Sequence, residues 1–423
     1  MKWRGMFILD ELFRHAGIMF MGMGVVHVAT LLFQVMSGRM LTPEDYSVLA
    51  AFIGLSVILQ RPLSALTTSF AHQSRLLEQH HHEGTLRKIL QVWAIRVGLP
   101  VLAVSLAMIY WRVPLSSILG LSDSAVMFYL GIMLPSLVAN SVLEGLAQGL
   151  QLFKFWSAAH MSGALSRLLI GAALLGFLEA EGSFAIFAYA AGGYACTGIL
   201  LLGLSCRLKQ APSPVNPSTP RIHQYFLHNS LALAAYAILM TLDVILVNRA
   251  FPNHPTFALS ATLSRMIVFF PMAIGMALFP KVVSQGRGNT EQHQLFLRAC
   301  KWTSVMVILS ILACALFTNL LMFLLFGLRD VDAETRRHVW GMCVAMGFSA
   351  LLNLILQYLL AQCRFRELAA LLFFAMVYLL TGLYLPQSPD GVVLLAIVCN
   401  VAACAGVLPA LRQHRGSSGI QQV

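Results

Sequence analysis

The sequence predicts an all-α integral membrane protein of about twelve transmembrane helices in two six-helix bundles. Two observations lead to this fold class: an unusually apolar composition and a plan that repeats in the two halves of the chain. Of the 423 residues, 58% are hydrophobic and only 11% are charged, whereas soluble domains carry about 25% charged residues. An ordinary soluble enzyme is therefore excluded.

Apolar runs long enough to cross about 30 Å of hydrocarbon follow one another along the chain. They must be helices because a lipid-exposed backbone has to satisfy its own hydrogen bonds, and the runs lack the alternation of barrel strands. The first half has candidate spans at Ala16 to Met36, Tyr46 to Phe70, Leu90 to Tyr110, Ala125 to Ala147, Trp156 to Leu178 and Phe184 to Ser205. The second half has Leu227 to Val247, Phe257 to Phe279, Trp302 to Phe323, Trp340 to Leu360, Leu368 to Leu385 and Val392 to Leu411.

The distribution of basic residues predicts the orientation. With both termini on one side, that side collects 18 of the 28 Lys and Arg residues, the opposite loops collect 6, and 4 lie within spans. Because basic loops stay inside, both termini are predicted to be cytoplasmic. This asymmetry also explains the net charge of +11 as a basic rim facing anionic membrane lipid. No nucleic-acid partner is expected.

A proline-rich stretch divides the chain near its midpoint. Residues 206–224 read CRLKQAPSPVNPSTPRIHQ and contain four prolines, a composition typical of a linker. We therefore predict an N-terminal bundle at residues 1–205, a cytoplasmic linker at 206–224 and a C-terminal bundle at 225–423.

The stretch that starts at Thr30 resembles the stretch that starts at Thr241. In this alignment Arg39 matches Arg249, and Pro62 matches Pro271 inside the following helix. Because each half has six spans, the copies share one topology and form a parallel repeat. Two such bundles can rock about a path between them, with the two prolines as matching helix kinks. The alternative is an inert packed block.

Six charged residues fall within predicted spans: Arg61, Arg96, Arg167, Arg265, Glu144 and Asp243. An arginine near a span centre costs roughly 2.5 to 3.5 kcal/mol, so the arginines imply a wet cavity, ion pairing or both. A guanidinium suits phosphate because it donates a fork of hydrogen bonds and keeps its charge. Arg61, Arg167 and Arg265 are therefore predicted to bind an anionic substrate.

The remaining charged positions have competing interpretations. Arg96 lies about two turns from a span end and is expected to snorkel to the interface. Asp243 and Arg265 have similar depth, which predicts an ion pair, with a coupling-ion role for Asp243 as the alternative; Arg249 follows close by. Glu144 either lies at the interface or pairs with a cavity arginine.

No catalytic or metal-binding pattern stands out, so neither an enzyme nor a cofactor is predicted. The eight cysteines lack the close spacing of metal ligands and are expected to pack as apolar side chains. The histidine run at residues 80–82 falls in a predicted cytoplasmic loop, where solvent exposure is the simpler interpretation. Neither a phosphate-binding loop nor a nucleophile elbow is present in the sequence.

Three stretches carry a resemblance to a known family. GRMLTPEDYSVLAAF begins at residue 38, GLAQGLQLFKFWSAAHMSGALSRLL at residue 145 and LDVILVNRAFPNHPTFALSATLSRMIVFFPMAIGMALFPKV at residue 242. The sequence resembles the polysaccharide transporter branch of the multidrug/oligosaccharidyl-lipid/polysaccharide flippase superfamily. The resemblance implies a V-shaped pair of bundles with a charged central cavity, in the bacterial cytoplasmic (inner) membrane. Twelve spans instead of fourteen argue against the lipid II flippase group.

The resemblance implies a flippase for lipid-linked oligosaccharide or polysaccharide precursor that works by alternating access, with glycan polymerases or glycosyltransferases as candidate partners. A cation-coupled multidrug exporter of the same superfamily is the first alternative, although its cavity would favour acidic groups. A non-transporting scaffold of a glycan-assembly complex is the second, and it would tolerate neutral residues in place of the arginines.

Overall fold

The computed structural model describes residues 2–79, 83–121, 123–178, 181–208, 223–252, 254–268, 290–362, 368–385 and 388–412. Within these ranges the secondary structure is helical. The helices of the first half are α1 (Lys2–Met40), α2 (Pro43–Gln79), α3 (Glu83–Arg96), α4 (Gly98–Tyr110), α5 (Arg112–Leu119), α6 (Ala125–Gly149), α7 (Phe153–Phe177) and α8 (Gly182–Leu208). Those of the second half are α9 (His223–Ala250), α10 (Thr256–Val268), α11 (Thr290–Leu316), α12 (Thr318–Phe326), α13 (Ala333–Ala361), α14 (Ala369–Tyr384) and α15 (Pro389–Arg412).

These helices confirm the predicted all-α membrane fold. In the described ranges, 10 segments are long and apolar enough to cross a membrane, and α10 and α14 are two shorter apolar helices. Each of the twelve predicted spans thus overlaps at least one described helix, although residues 269–279 of the eighth span lie outside the described residues. The protein is a multi-pass membrane protein, because soluble proteins do not contain so many long apolar helices.

Several helices differ in their bounds from the predicted spans, and the third and ninth spans differ most in form. The third is broken at Val97, between α3 and α4. Pro100 explains the break, because its ring nitrogen cannot donate to the carbonyl of Arg96 one turn earlier. The ninth was predicted as one span from Trp302 to Phe323, but α11 runs from Thr290 to Leu316 and a separate helix, α12, begins at Thr318. The polar residues before Trp302 continue the helix beyond its apolar part.

The described helices group into two compact units by their contacts. The first unit comprises Met1–Phe52 and Leu63–Phe226, and the second comprises Ile53–Pro62 and Leu227–Val423. Ten residues of α2 thus group with the second unit, which the sequence did not indicate. Gly54 illustrates the reason, since a Cβ at this position would lie 3.2 Å from the Thr241 carbonyl oxygen of α9. Most of the predicted linker lies outside the described residues.

In the first unit, α7 packs against α8 and α1, while α6 packs against α8 and α4. The crossing of α7 and α8 is close because two glycines face each other. A Cβ on Gly192 would lie 2.5 Å from the Gly163 carbonyl oxygen, and one on Gly163 would lie 2.9 Å from the Gly192 carbonyl oxygen. Small residues at such contacts let membrane helices pack tightly.

In the second unit, α13 packs against α15 and α11, and α14 packs against α15. Helix α9 is also largely buried, and the side chains of Tyr236 and Tyr378 are among the largest that are fully enclosed. The interior of this unit therefore contains several polar groups in addition to its apolar residues.

Both halves contain a short helix that ends at a left-handed glycine. Helix α5 ends before Gly120, with φ 65°, and α12 ends before Gly327, with φ 75°. Each glycine begins a similar sequence, GLSD in the first half and GLRD in the second. Glycine adopts this conformation without the steric penalty that a Cβ would bring. The shared cap adds a structural element to the repeat predicted from Thr30 and Thr241.

Candidate functional site

The first unit holds Arg167 in the middle of α7. Its guanidinium carbon lies 3.9 Å from the centroid of the Tyr189 ring on α8. This geometry favours a cation–π interaction, which is worth about 2 kcal/mol when the pair is shielded from water. The buried Nε of Arg167 has no hydrogen-bond partner among the described residues. Nor does any described carboxylate form an ion pair with Arg167.

Tyr189 is held in place by aromatic neighbours. The Phe52 ring meets it edge-on at a centroid distance of 5.7 Å, and the Phe33 ring lies 6.4 Å away at a tilted angle. The close crossing described above brings Gly192 beside Arg167, since a Cβ on Gly192 would lie 3.1 Å from the Arg167 Cβ. The position of Arg167 therefore depends on the tight packing of α7 and α8.

A second polar group of the first unit contains Glu144, His160 and Cys196, which come from α6, α7 and α8. Their carboxylate oxygen, imidazole nitrogen and thiol sulfur all lie within 4.8 Å of one another. His160 Nε2 is 3.4 Å from Glu144 Oε1, and the Trp156 ring packs on the imidazole at 4.4 Å between centroids. The neighbour of Glu144 is thus a histidine, whereas the sequence had left Glu144 either at the interface or paired with a cavity arginine.

A hydrogen-bonded group lies in the same set of helices. The Thr197 hydroxyl donates to Asn140 Oδ1 at 2.8 Å, and Asn140 Nδ2 donates to the Gly193 carbonyl at 3.2 Å. These bonds join α6 to α8, as expected for a buried amide between membrane helices. They fix the two helices that carry Glu144 and Cys196.

The second unit contains the ion pair that was predicted from the sequence. Arg265 Nη2 of α10 lies 2.5 Å from Asp243 Oδ1 of α9, and both side chains are almost fully buried. Arg265 also donates to the carbonyls of Met240 and Thr241 at 3.3 and 3.4 Å. The other carboxylate oxygen, Oδ2, has no hydrogen-bond partner among the described residues.

Arg61 is assigned to the second unit and is half-buried. Its guanidinium carbon lies 5.7 Å from the centroid of the Tyr236 ring on α9. The next residue, Pro62, lies within the continuous helix α2, and its carbonyl accepts a hydrogen bond from the Ser230 hydroxyl at 3.2 Å. The carbonyl of Pro62 is therefore hydrogen-bonded. A kink of α2 at Pro62 remains a prediction.

Other predicted positions are exposed or lie outside the described residues. Arg96 is exposed at the last residue of α3, which fits the snorkelling interpretation. Arg249 is exposed in the last turn of α9 and has no ion pair to Asp243 in the structure. Pro271 lies outside the described residues. Arg167 belongs to the first unit, whereas Arg61 and Arg265 belong to the second, so a cavity shared by all three stays a prediction.

A further ionic group, which the sequence did not reveal, lies at the first turns of α13 and α15. His254 Nδ1 is 3.0 Å from Glu334 Oε1, and His338 Nε2 is 3.2 Å from Asp390 Oδ1. Arg337 is 3.4 Å from the same aspartate. By the predicted orientation these helix starts face away from the cytoplasm.

Neither a family model nor a curated protein matches the sequence. Several solved structures match over nearly the whole chain. The inward-facing conformation of a multidrug resistance MATE family transporter of the MOP superfamily has a TM-score of 0.73 at 14% identity, covering 92% of this chain and 96% of that one. The lipid II flippase MurJ, in an inward closed conformation, has a TM-score of 0.69 at 11% identity, with coverages of 93% and 87%.

The eukaryotic MATE transporter AtDTX14 also matches, with a TM-score of 0.68 at 14% identity and 96% of both chains covered. At these identities the similarity shows the fold alone. The chain therefore has the fold of these membrane transporters, as the resemblance to the superfamily led us to expect.

Proposed function

We propose that this protein is a membrane transporter that translocates an anionic amphiphile, a lipid-linked oligosaccharide or polysaccharide precursor, across the bacterial cytoplasmic membrane by alternating access. The fold supports the general role, because its structural neighbours are multidrug exporters and a lipid flippase. The substrate class is inferred from the charged side chains. In this proposal an arginine binds the phosphate or pyrophosphate while the lipid tail stays in the bilayer.

The state of Arg167 carries the proposal. Each acidic residue of the predicted spans already has a neighbour, because Asp243 pairs with Arg265 and Glu144 lies beside His160. Arg167 has an aromatic face for its cation but no carboxylate among the described residues. A charge held in a membrane helix without a counterion is costly. An anionic group on the substrate would compensate that cost while it is bound.

Arg61 is the second candidate ligand for the substrate, and its partner Tyr236 is also aromatic. Arg265 is the weakest of the three, because its charge is neutralised by Asp243. We therefore expect the substrate phosphate to depend on Arg167 first, on Arg61 second and on Arg265 least.

The proposal can be tested with purified protein in proteoliposomes that contain a fluorescently labelled polyprenyl-pyrophosphate disaccharide. Dithionite added outside destroys only the fluorescence of the outer leaflet, so the rate of further loss measures translocation. The substitution Arg167→Ala should slow this rate roughly ten- to a hundredfold, as expected for a lost charge-assisted hydrogen bond. Arg167→Lys keeps the positive charge but cannot donate two parallel hydrogen bonds to a phosphate, so it should give an intermediate rate.

The exposed Arg249 provides a matched control, since Arg249→Ala removes the same side chain from the surface. This variant should translocate the probe at the wild-type rate. If well-folded Arg167→Ala protein also moves the probe at the wild-type rate, the anionic-substrate proposal is wrong. Such a result would favour a scaffold, or a carrier of a different substrate.

A cation-coupled multidrug exporter is the second candidate function. It is favoured by the MATE transporters among the structural neighbours and by Glu144, an acidic residue held beside His160 in the first unit. An exporter of this kind should reduce ethidium accumulation in cells when expressed, and Glu144→Gln should remove this effect. Ethidium export that survives Arg167→Ala but not Glu144→Gln would support the exporter over the flippase.

A further inference from the structure

Three residues that take no part in the proposed binding of the anionic substrate come together in the first unit. Glu144, His160 and Cys196 supply one oxygen, one nitrogen and one sulfur, and these atoms lie within 4.8 Å of one another. They come from three helices and are 16 and 36 residues apart, so their meeting is a product of the tertiary fold. We propose that these side chains form a binding site for a divalent transition-metal ion, with Zn²⁺ as its best-matched occupant.

His160 supports a ligand role by its own environment. Its Nε2 is buried and makes no hydrogen bond in the described part of the chain. The 3.4 Å contact with Glu144 Oε1 is not aligned as a hydrogen bond. A buried imidazole nitrogen without a partner is unfavourable. The Trp156 ring packs on the imidazole and limits its movement away from the other two donors.

Cys196 is brought to this place by the close crossing of α7 and α8. A Cβ on Gly163 would lie 3.2 Å from the Cys196 Cβ, so the absence of a side chain at Gly163 makes room for the cysteine. His160 lies three residues before Gly163 and therefore faces the same side of α7. The packing that positions Arg167 thus also brings the thiol to the imidazole.

The donor set favours a particular class of ion. A thiolate and an imidazole match Zn²⁺ and its transition-metal neighbours, whereas Na⁺, Mg²⁺ and Ca²⁺ require several oxygen ligands. Bond lengths of about 2.0 to 2.3 Å place tetrahedral donors roughly 3.3 to 3.8 Å apart. The 3.4 Å between His160 Nε2 and Glu144 Oε1 already falls in this range, and all three donor atoms lie within 4.8 Å of one another. Three protein ligands leave the fourth position open to water.

The charge balance also suits a membrane interior. Binding requires the thiol proton to leave, so that Zn²⁺ and the Cys196 thiol give a zinc–thiolate bond and one released proton. The ion then carries two positive charges against one thiolate and one carboxylate, with His160 neutral. The site as a whole is electrically neutral, which avoids the cost of a net charge among apolar helices.

The test uses the full-length protein in detergent, with the purification tag removed. His80, His81 and His82 are changed to Asn in every sample, because a histidine run binds metals unspecifically. Co²⁺ is the first probe, since a cobalt–thiolate bond produces a near-ultraviolet charge-transfer band. The wild-type cluster should show this band at one Co²⁺ per chain, with release of about one proton as Co²⁺ binds to the metal-free protein, and Zn²⁺ should then abolish the band without further proton release.

Cys196→Ser should abolish the band and weaken Zn²⁺ binding by more than the roughly 10- to 100-fold that outer-shell changes cost. Cys206→Ser is the matched control, because Cys206 is an exposed cysteine on the same helix, and it should keep both band and affinity. Absence of the band in the wild-type cluster would overturn the proposal without any reference to how variants fold. Equal Zn²⁺ affinity of the two serine variants would overturn it as well.

Discussion

Arg265 Nη2 lies 2.5 Å from Asp243 Oδ1, and both side chains are almost entirely enclosed by the second unit. The guanidinium satisfies further donors on the carbonyls of α9. The carboxylate of Asp243 is less fully hydrogen-bonded than the guanidinium, because its second oxygen, Oδ2, has no hydrogen-bond partner in the described ranges. The pair therefore joins α9 to α10 and leaves one carboxylate oxygen without a donor among the described residues.

The first prediction concerns this ion pair. Asp243→Asn should destabilise the protein by about 3 to 5 kcal/mol, because it leaves the Arg265 charge buried without a partner. The double variant Asp243→Asn/Arg265→Gln removes both charges and should recover most of this loss. The free energy of unfolding of each variant in detergent provides the comparison.

Arg249→Gln is the control for the ion pair, since Arg249 is exposed at the end of the same helix and should change stability by less than about 0.5 kcal/mol. A double variant no more stable than Asp243→Asn would show that the pair does not carry the effect.

The second prediction concerns the ring under Arg167. Tyr189→Phe keeps the aromatic face and should leave the melting temperature nearly unchanged. Tyr189→Leu keeps bulk but removes the face, and should lower stability by about 2 kcal/mol. In the translocation assay Tyr189→Leu should also slow the pyrophosphate probe, because the guanidinium loses its support. Equal behaviour of the two variants would assign Tyr189 a packing role only.

The third prediction concerns the crossing of α7 and α8. Gly192→Ala places a methyl group 2.5 Å from the Gly163 carbonyl oxygen, so the helices must separate and the melting temperature should fall. Gly198 lies on the same helix with open space around its Cα. Gly198→Ala should therefore be neutral or stabilising by up to about 1 kcal/mol. Thermal unfolding followed by circular dichroism distinguishes the two, and a Gly192→Ala variant as stable as Gly198→Ala would refute the close-approach argument.

The fourth prediction concerns pH and the start of α13. The Asp332 side chain accepts a hydrogen bond from the Thr335 backbone N–H at 3.2 Å. Hydrogen bonding with Thr335 lowers the pKa of Asp332 below its ordinary value. A lowered pKa stabilises the fold above the unfolded-state pKa of about 3.9, and the stabilisation disappears as the pH falls through the folded-state value.

Asp332→Ala should accordingly cost about 1 kcal/mol at neutral pH, the usual value of a helix N-cap. The difference from wild type should shrink as the pH is lowered below about 4. Thermal unfolding at a series of pH values measures it. A difference that stays constant down to low pH would mean that the carboxylate charge contributes nothing to the cap.

Much of the fold could be predicted because a membrane span is a local property of the sequence. A run of about 20 apolar residues specifies a helix regardless of what surrounds it. The break at Val97 was missed because Pro100 in a membrane helix is compatible with either a kink or an interruption. The assignment of residues 53–62 to the second unit depends on contacts with α9, which no local pattern contains.

The candidate site was predictable only in part. The Asp243–Arg265 pair could be inferred because the two residues lie on consecutive spans at similar depth. Tyr189 and the Glu144–His160–Cys196 group could not be inferred in this way. These residues lie on different helices, and whether they meet depends on how each helix is rotated about its own axis. That rotation is set by packing, above all by the contact between Gly163 and Gly192. The apolar runs of the sequence predict how many spans there are, but they do not determine which face of one helix packs against which face of another.

The short helices that end before Gly120 and Gly327 suggest where segments of this chain could be exchanged with those of related proteins. At each of these joints the direction of the chain is set by backbone conformation, and the charged side chains of the spans take no part in it. Matching joints in the two halves are natural exchange points for chimeric proteins. A chimera joined at these glycines would exchange whole groups of helices and leave the charged side chains within each group unchanged.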